Sequence, residues 1–143
     1  MIFMLKNIPK IISPELMKVL LEMGHGDEIL LADGNYPCHS VGVKVVRLDG
    51  HGIPEILKAI LKYFPLDTFV EENVLLMDNN LSTKPEIWKS YEEILYDSKE
   101  DFRVKVLERF KFYERAKNVF AIVATSESAL YANIILKKGV VKT

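Results

Sequence analysis

The sequence predicts a single α/β domain, with helices layered on both faces of a central β-sheet (α/β/α). Three observations predict it. Helix-type and strand-type apolar patterns alternate along the whole chain, which argues for α/β layers over an α+β segregation. The 143 residues fit one domain, spanning 1–143, and leave little room for two. No internal repeat, low-complexity tract or linker interrupts them.

The first helix is announced by Ser13 as cap, Pro14 at the first helical position and Glu15 near the positive end of the helix dipole. Leu16, Val19, Leu20 and Met23 then recur at the spacing of one buried face, and Gly24 ends the run. Glu28 to Ala32 reads as a short buried strand and Val43 to Leu48 as another, with the turn-rich stretch from Asp33 to Ser40 between them. Gly50 and Gly52 bracket His51 before a second helix starting near Pro54. Its apolar face is Ile56, Leu57, Ile60, Leu61 and Phe64. Val74 to Met77 is a brief strand followed by the polar turn Asp78-Asn79-Asn80. Pro85 opens a third helix, with Trp88, Tyr91 and Leu95 facing inward. Lys105 to Leu107 is a candidate strand, Phe110 to Val119 a helix, Phe120 to Ala124 a buried strand and Asn133 to Leu136 the last. The sheet order is beyond this reading.

Composition excludes several classes. Nineteen lysines and arginines against 20 aspartates and glutamates give a net charge of -1, so nothing favours nucleic acid or an anionic membrane as partner. A lone cysteine, Cys38, cannot close an intramolecular disulfide. The apolar start is broken by Lys6 and Pro9, unlike a signal peptide, and no later run approaches a membrane span. The expectation is a soluble, cytoplasmic protein.

In α/β sheets, ligands collect where strands end at their carboxyl termini. Polar residues expected at such places are His25-Gly26-Asp27-Glu28, Asp33, Asp67 and Tyr131-Ala132-Asn133. Each is a weak signal alone, since a loop histidine is more often solvated or capping. His25, His39, His51 and their carboxylate neighbours match no zinc pattern. No metal is therefore expected. GxGxxG, GxxxxGK[ST] and GxSxG loops are absent. Cys38 beside His39 is discounted as a nucleophile, because adjacent residues in an extended segment point apart. The stretch Arg109 to Arg115 mixes basic and aromatic residues, but Phe112, Ala116, Val119 and Phe120 form a buried helix stripe, so it does not argue for nucleic acid.

These segments together resemble a known family. They are Ile12-Ser13-Pro14-Glu15-Leu16, Met23-Gly24-His25-Gly26-Asp27-Glu28-Ile29, the Asp33 loop with Pro37 and His39-Ser40, and Leu66-Asp67. Arg109-Phe110, Phe112-Tyr113-Glu114-Arg115-Ala116, Phe120 to Val123, Tyr131-Ala132-Asn133 and Leu136 to Val140 complete the set. The chain resembles the ribose pyranases and L-fucose mutarotases, and the Phe-Tyr-Glu-Arg segment inclines it to the fucose branch. Ala132 stands where the family's closing motif has glycine, and the stretch from Asp78 to Phe102 shows little similarity, so nothing functional is carried onto it.

The resemblance implies a ribose pyranase-like fold and a cofactor-free isomerase acting on a monosaccharide, L-fucose first. It implies His25 as the proton-donating histidine, with Tyr113 and Asp67 also in catalysis. Asp33, Arg109, Tyr131 and Asn133 match sugar-binding positions, and Met77 a further substrate contact. It also implies a symmetric homo-oligomer, a decamer in some members, with sites near subunit boundaries.

Mutarotation opens a cyclic hemiacetal, turns the carbonyl and closes it on the other face. One proton goes to the ring oxygen and one leaves the anomeric hydroxyl, so side chains suffice. Histidine, which as a residue type titrates near ~6.5, serves both directions at neutral pH. The expected arrangement puts His25 at the ring oxygen, with Tyr113 and Asp67 near the anomeric hydroxyl. A ribose-type pyranase and a non-catalytic sugar sensor or transport accessory remain open as rivals.

Overall fold

The computed structural model describes residues 3–142, Phe3 by its backbone alone. An antiparallel hairpin, β1 (Phe3–Leu5) and β2 (Ile8–Pro9), precedes α1 (Pro14–Glu22). Then follow β3 (Glu28–Ala32), a 3-10 turn at Cys38–Ser40, β4 (Lys44–Leu48), α2 (Ile53–Leu61) and β5 (Val74–Met77). The chain continues through α3 (Ile87–Ser98), β6 (Val104–Leu107), α4 (Arg109–Ala116), β7 (Ala121–Thr125) and β8 (Ile134–Lys137).

Six strands form the central sheet in the order β4-β7-β3-β8-β5-β6. All run parallel except β8, which is antiparallel to both its neighbours, β3 and β5. The last strand therefore enters the sheet at the carboxyl ends of β3 and β5 and leaves it at their amino ends.

Strand alternation sorts the side chains onto two faces. Ile29, Leu31, Ile134 and Leu136 pack with Leu16 and Val19 of α1, Ile56 and Ile60 of α2, and Tyr91 and Leu95 of α3. Leu30, Ala32, Leu75, Met77, Ile122 and Ile135 face the other way, against Phe112 and Ala116 of α4. Helices thus cover both faces, as predicted. Each fully buried Leu, Ile or Phe contributes about 1.5–3 kcal/mol relative to exposure.

The local signals operate as read. Ser13 Oγ accepts the Leu16 amide at 3.1 Å, and Pro14 opens α1. Glu127 accepts the Ile53 amide at 3.0 Å at the start of α2. The third helix starts at Ile87, later than Pro85 suggested, and α4 stops at Ala116, where turns carry the chain on through Val119. The segment around Cys38 is a 3-10 turn, not extended. Its thiol is buried and pushed up in pKa by that burial, while exposed His39 meets Arg47 at 3.0 Å. With Cys38 buried and its pKa raised, and His39 engaged by Arg47, the thiol stays set aside for a different reason. No helix among the described residues is long and apolar enough to cross a membrane.

Candidate functional site

The predicted site residues gather at two places, at opposite ends of the sheet. Between them lies the length of β3, ~13 Å of strand at 3.3 Å per residue.

At the amino end, His25 Nε2 meets Asp67 Oδ1 at 3.0 Å. The loops that carry them are fastened to the outgoing end of β8. Gly26 N–H donates to the Lys138 carbonyl and Asp67 N–H to that of Lys137, while Gly139 N–H donates to the Pro65 carbonyl. Gly139 is needed there: a Cβ would lie 2.5 Å from the Leu66 carbonyl oxygen. Asp67 is 2% exposed. Burial pushes its carboxyl up, but the Phe69 amide, the His25 ring and nearby Lys137 outweigh burial and hold it below the ordinary carboxylate range. The His25 ring is open to solvent on one side and packs against Phe69, ring centres 5.4 Å apart.

This corrects the expectation that His25 and Asp67 sit where strands end at their carboxyl termini. They precede β3 and follow α2 at the amino side, because the chain enters β3 there and β8, running backwards, leaves there.

At the carboxyl end, Asp33, Met77, Arg109, Tyr113, Tyr131 and Asn133 line one cleft of about 230 Å³, joined by Asn35, Tyr36 and Leu130. Alternation explains Met77 and Asn133: they share strand parity with Leu75 and Ile135, on the α4 face. Arg109 and Tyr113, four residues apart on α4, project from one side of that helix. Asn133 Oδ1 accepts the Asp33 amide at 2.8 Å, joining the end of β3 to the start of β8. Burial raises the Asp33 carboxyl, an effect the amides of Asn35, Ala132 and Tyr36 and the Asn133 side chain only partly offset. Tyr36 and Tyr113 lie with ring centres 5.6 Å apart, and burial raises the Tyr36 phenol as well. Charged, amide and aromatic groups thus converge on a space below the ~300–1,000 Å³ of drug-sized ligand sites.

Tyr113 and Asp67 therefore do not meet within one chain, contrary to the expected pairing at one reacting atom. Asn35, Tyr36, Leu130 and Phe69 were not singled out in the sequence. Tyr36 and Asn35 had a usable signal, since they lie in the turn-rich loop after Asp33. Among the described residues, no three His, Cys, Asp or Glu side chains group so that they could hold a metal ion.

Comparison with known proteins bears on this arrangement. Residues 6–141 match the RbsD / FucU transport protein family. A fucose mutarotase of Danio rerio is 52% identical over 145 residues, covering 96% of this chain and 94% of that protein. The crystal structure of the fucose mutarotase in complex with L-fucose from Streptococcus pneumoniae superposes with a TM-score of 0.92 at 51% identity. It covers 96% of this chain and 100% of that one. RbsD of Bacillus subtilis, complexed with D-ribose, has a TM-score of 0.76 at 24% identity, over 91% of this chain and 95% of that one, a likeness of fold. With the match spanning both ends of the sheet, this chain belongs to the RbsD / FucU transport protein family.

Proposed function

We propose that this chain is an isomerase that interconverts the α and β anomers of L-fucose by acid–base ring opening and closure. The observation that carries the reading is a sugar-sized cleft lined by hydrogen-bonding and aromatic side chains, in a chain with a paired His25–Asp67 in reserve at the other end of the sheet. Support comes from relatives about half identical that are fucose mutarotases, one of them crystallised with L-fucose.

In this reading His25 exchanges a proton with the ring oxygen. Asp67, held anionic, fixes the orientation of the His25 ring. Tyr113 serves the anomeric hydroxyl. Asp33, Arg109 and Asn133 hold sugar hydroxyls, Tyr131 covers an apolar sugar face, and Met77 closes the floor. Positioned acid–base catalysis of this kind contributes ~10²–10⁴-fold, enough for a reaction already feasible in water.

Because one chain separates His25 from this cleft, the complete site needs two chains. We take the protein to be a homo-oligomer, the decamer being the expected form, with His25 and Asp67 of one subunit facing the cleft of the next. Exposed apolar residues border both places: Phe69 beside His25, Leu130 on the cleft and Phe110 beside Arg109. Mutual burial of these residues favours such an interface. The protein acts in the cytoplasm in this reading.

Saturation-transfer NMR on L-fucose and D-ribose at equilibrium tests the function. Accelerated α/β exchange of fucose is expected. Acceleration confined to ribose pyranose–furanose exchange points to the pyranase, and sugar binding without any acceleration points to an accessory protein. Since side chains fill every role, activity survives exhaustive chelation and dialysis. A loss in EDTA that zinc or manganese restores contradicts this mechanism.

A further inference from the structure

The segment from Tyr131 to Asn133 supplies two lining side chains of the cleft, and its backbone takes a conformation its residues do not favour. Tyr131 has φ 55°, in the left-handed region where a Cβ crowds the backbone. A non-glycine residue keeps that geometry only where its surroundings over-determine it.

The restraint comes from α3, which packs on the sheet face opposite α4. Trp88 Nε1–H donates to the Tyr131 carbonyl at 3.3 Å, and the Tyr91 hydroxyl donates to the Ala132 carbonyl at 2.5 Å. Tyr91 and Ala132 are 1% and 0% exposed, so no solvent water stands ready to replace the second bond. Trp88 and Tyr91 are three residues apart and so lie on one face of their helix. Two consecutive peptide units are therefore gripped from one side, while Tyr131 and Asn133 line the cleft.

We infer that Trp88 and Tyr91 are positioning residues for sugar binding, acting through the backbone they hold. They are absent from the cleft lining themselves. The inference rests on the proposed function and assigns a role within residues 78–102, where the family resemblance carried none.

Tyr91→Phe keeps the ring and removes only the hydroxyl, and Trp88→Phe removes the indole donor. Anomer-exchange kinetics on L-fucose with the full chain read the result. KM rises about three- to tenfold in each variant, the weight of one hydrogen bond. The kcat changes less than about twofold, because the two hydrogen bonds end on the Tyr131 and Ala132 carbonyls and touch none of His25, Asp67 and Tyr113. A purely structural role gives the reverse: a lower melting temperature with KM unmoved. Should Tyr91→Phe fail to fold, half-buried Trp88 decides the matter on the same KM-against-kcat readout. Wild-type protein that exchanges no anomers overturns the functional reading and this inference with it. An active wild type, with the KM of every folded variant within about twofold of it, overturns the inference alone.

Discussion

The two ends of the central sheet differ in how they are held and in what they do to a carboxyl group. At the amino end, three backbone hydrogen bonds to residues 137–139 fix the loops that carry His25 and Asp67. At the carboxyl end, side chains from β5, α4 and the loops flanking β3 and β8 converge on a cleft. Asp67 is held below its ordinary pKa by donors and a cation; Asp33 is pushed above it by burial. The first end keeps a charge beside a histidine, and the second supplies shape and hydrogen bonds. In the proposed reaction the first supplies the His25 proton transfer, the second grips the sugar and adds Tyr113 at the anomeric hydroxyl, and one chain keeps them apart.

The sharpest way to break that division is to remove one group at each end. His25→Ala loses most of the acceleration, ~10²–10⁴-fold in exchange rate, while L-fucose binding measured by titration persists. Tyr113→Phe loses a large part of the rate with the fold intact. A His25→Ala protein exchanging anomers near the wild-type rate would overturn the assignment of chemistry to the amino end.

A smaller effect follows from Gly139. Adding a methyl at 2.5 Å from the Leu66 carbonyl oxygen and 2.8 Å from the Asp67 Cα must displace the backbone that carries Asp67 and so disturb its pairing with His25. Gly139→Ala is expected to lower kcat on the order of tenfold, the factor equivalent to about 1.4 kcal/mol, and to leave fucose affinity near wild type. A KM defect with normal kcat contradicts the claim that this residue serves the amino end.

The electrostatic contrast predicts opposite pH signatures in stability. Asp67, lowered from an ordinary value of 3.8, contributes stability present above that value and lost as pH falls below it through the folded pKa. Asp67→Asn should flatten this acid limb. Asp33, raised from the same value, contributes stability present below 3.8 and lost as pH rises through its folded pKa. Asp33→Asn should remove that loss, so its melting temperature gains on wild type as pH rises through this window. Denaturation midpoints against pH for the two variants check both signs; slopes of the same sign contradict the contrast.

How much of this was legible in the sequence follows from the range of each interaction. The strand Glu28–Ala32 and the first helix, with Ser13 as cap, rest on neighbours within a few residues, and both are found as read. The strands Ala121–Thr125 and Ile134–Lys137 are shifted by one residue, because a continuous apolar run has no sharp local end. The hairpin β1–β2 was missed, since strands of three and two residues are too short to show a period. Strand direction is decided by partners far along the chain. The reversal of β8 was therefore hidden, and with it the reason that Tyr131 and Asn133, which precede a strand, lie at the carboxyl ends of β3 and β5. The place of His25, just before Glu28, was by contrast open to a local reading. The five residues read as sugar-binding, Asp33, Met77, Arg109, Tyr131 and Asn133, line one cleft together with Tyr113, but nothing near Tyr131 signals its left-handed backbone or its bond to Trp88.

The central claim is that a working site joins the amino end of one chain to the carboxyl end of the next. Complementation tests it most directly. His25→Ala and Asn133→Ala proteins, each inactive alone, are co-refolded and assayed for fucose anomer exchange. If the two residues come from different chains, about a quarter of randomly mixed sites regain both native residues, and activity returns in proportion. If both come from one chain, confirmed hetero-oligomers stay inactive, and that outcome contradicts the shared site; a monomer by light scattering contradicts the assembly as well.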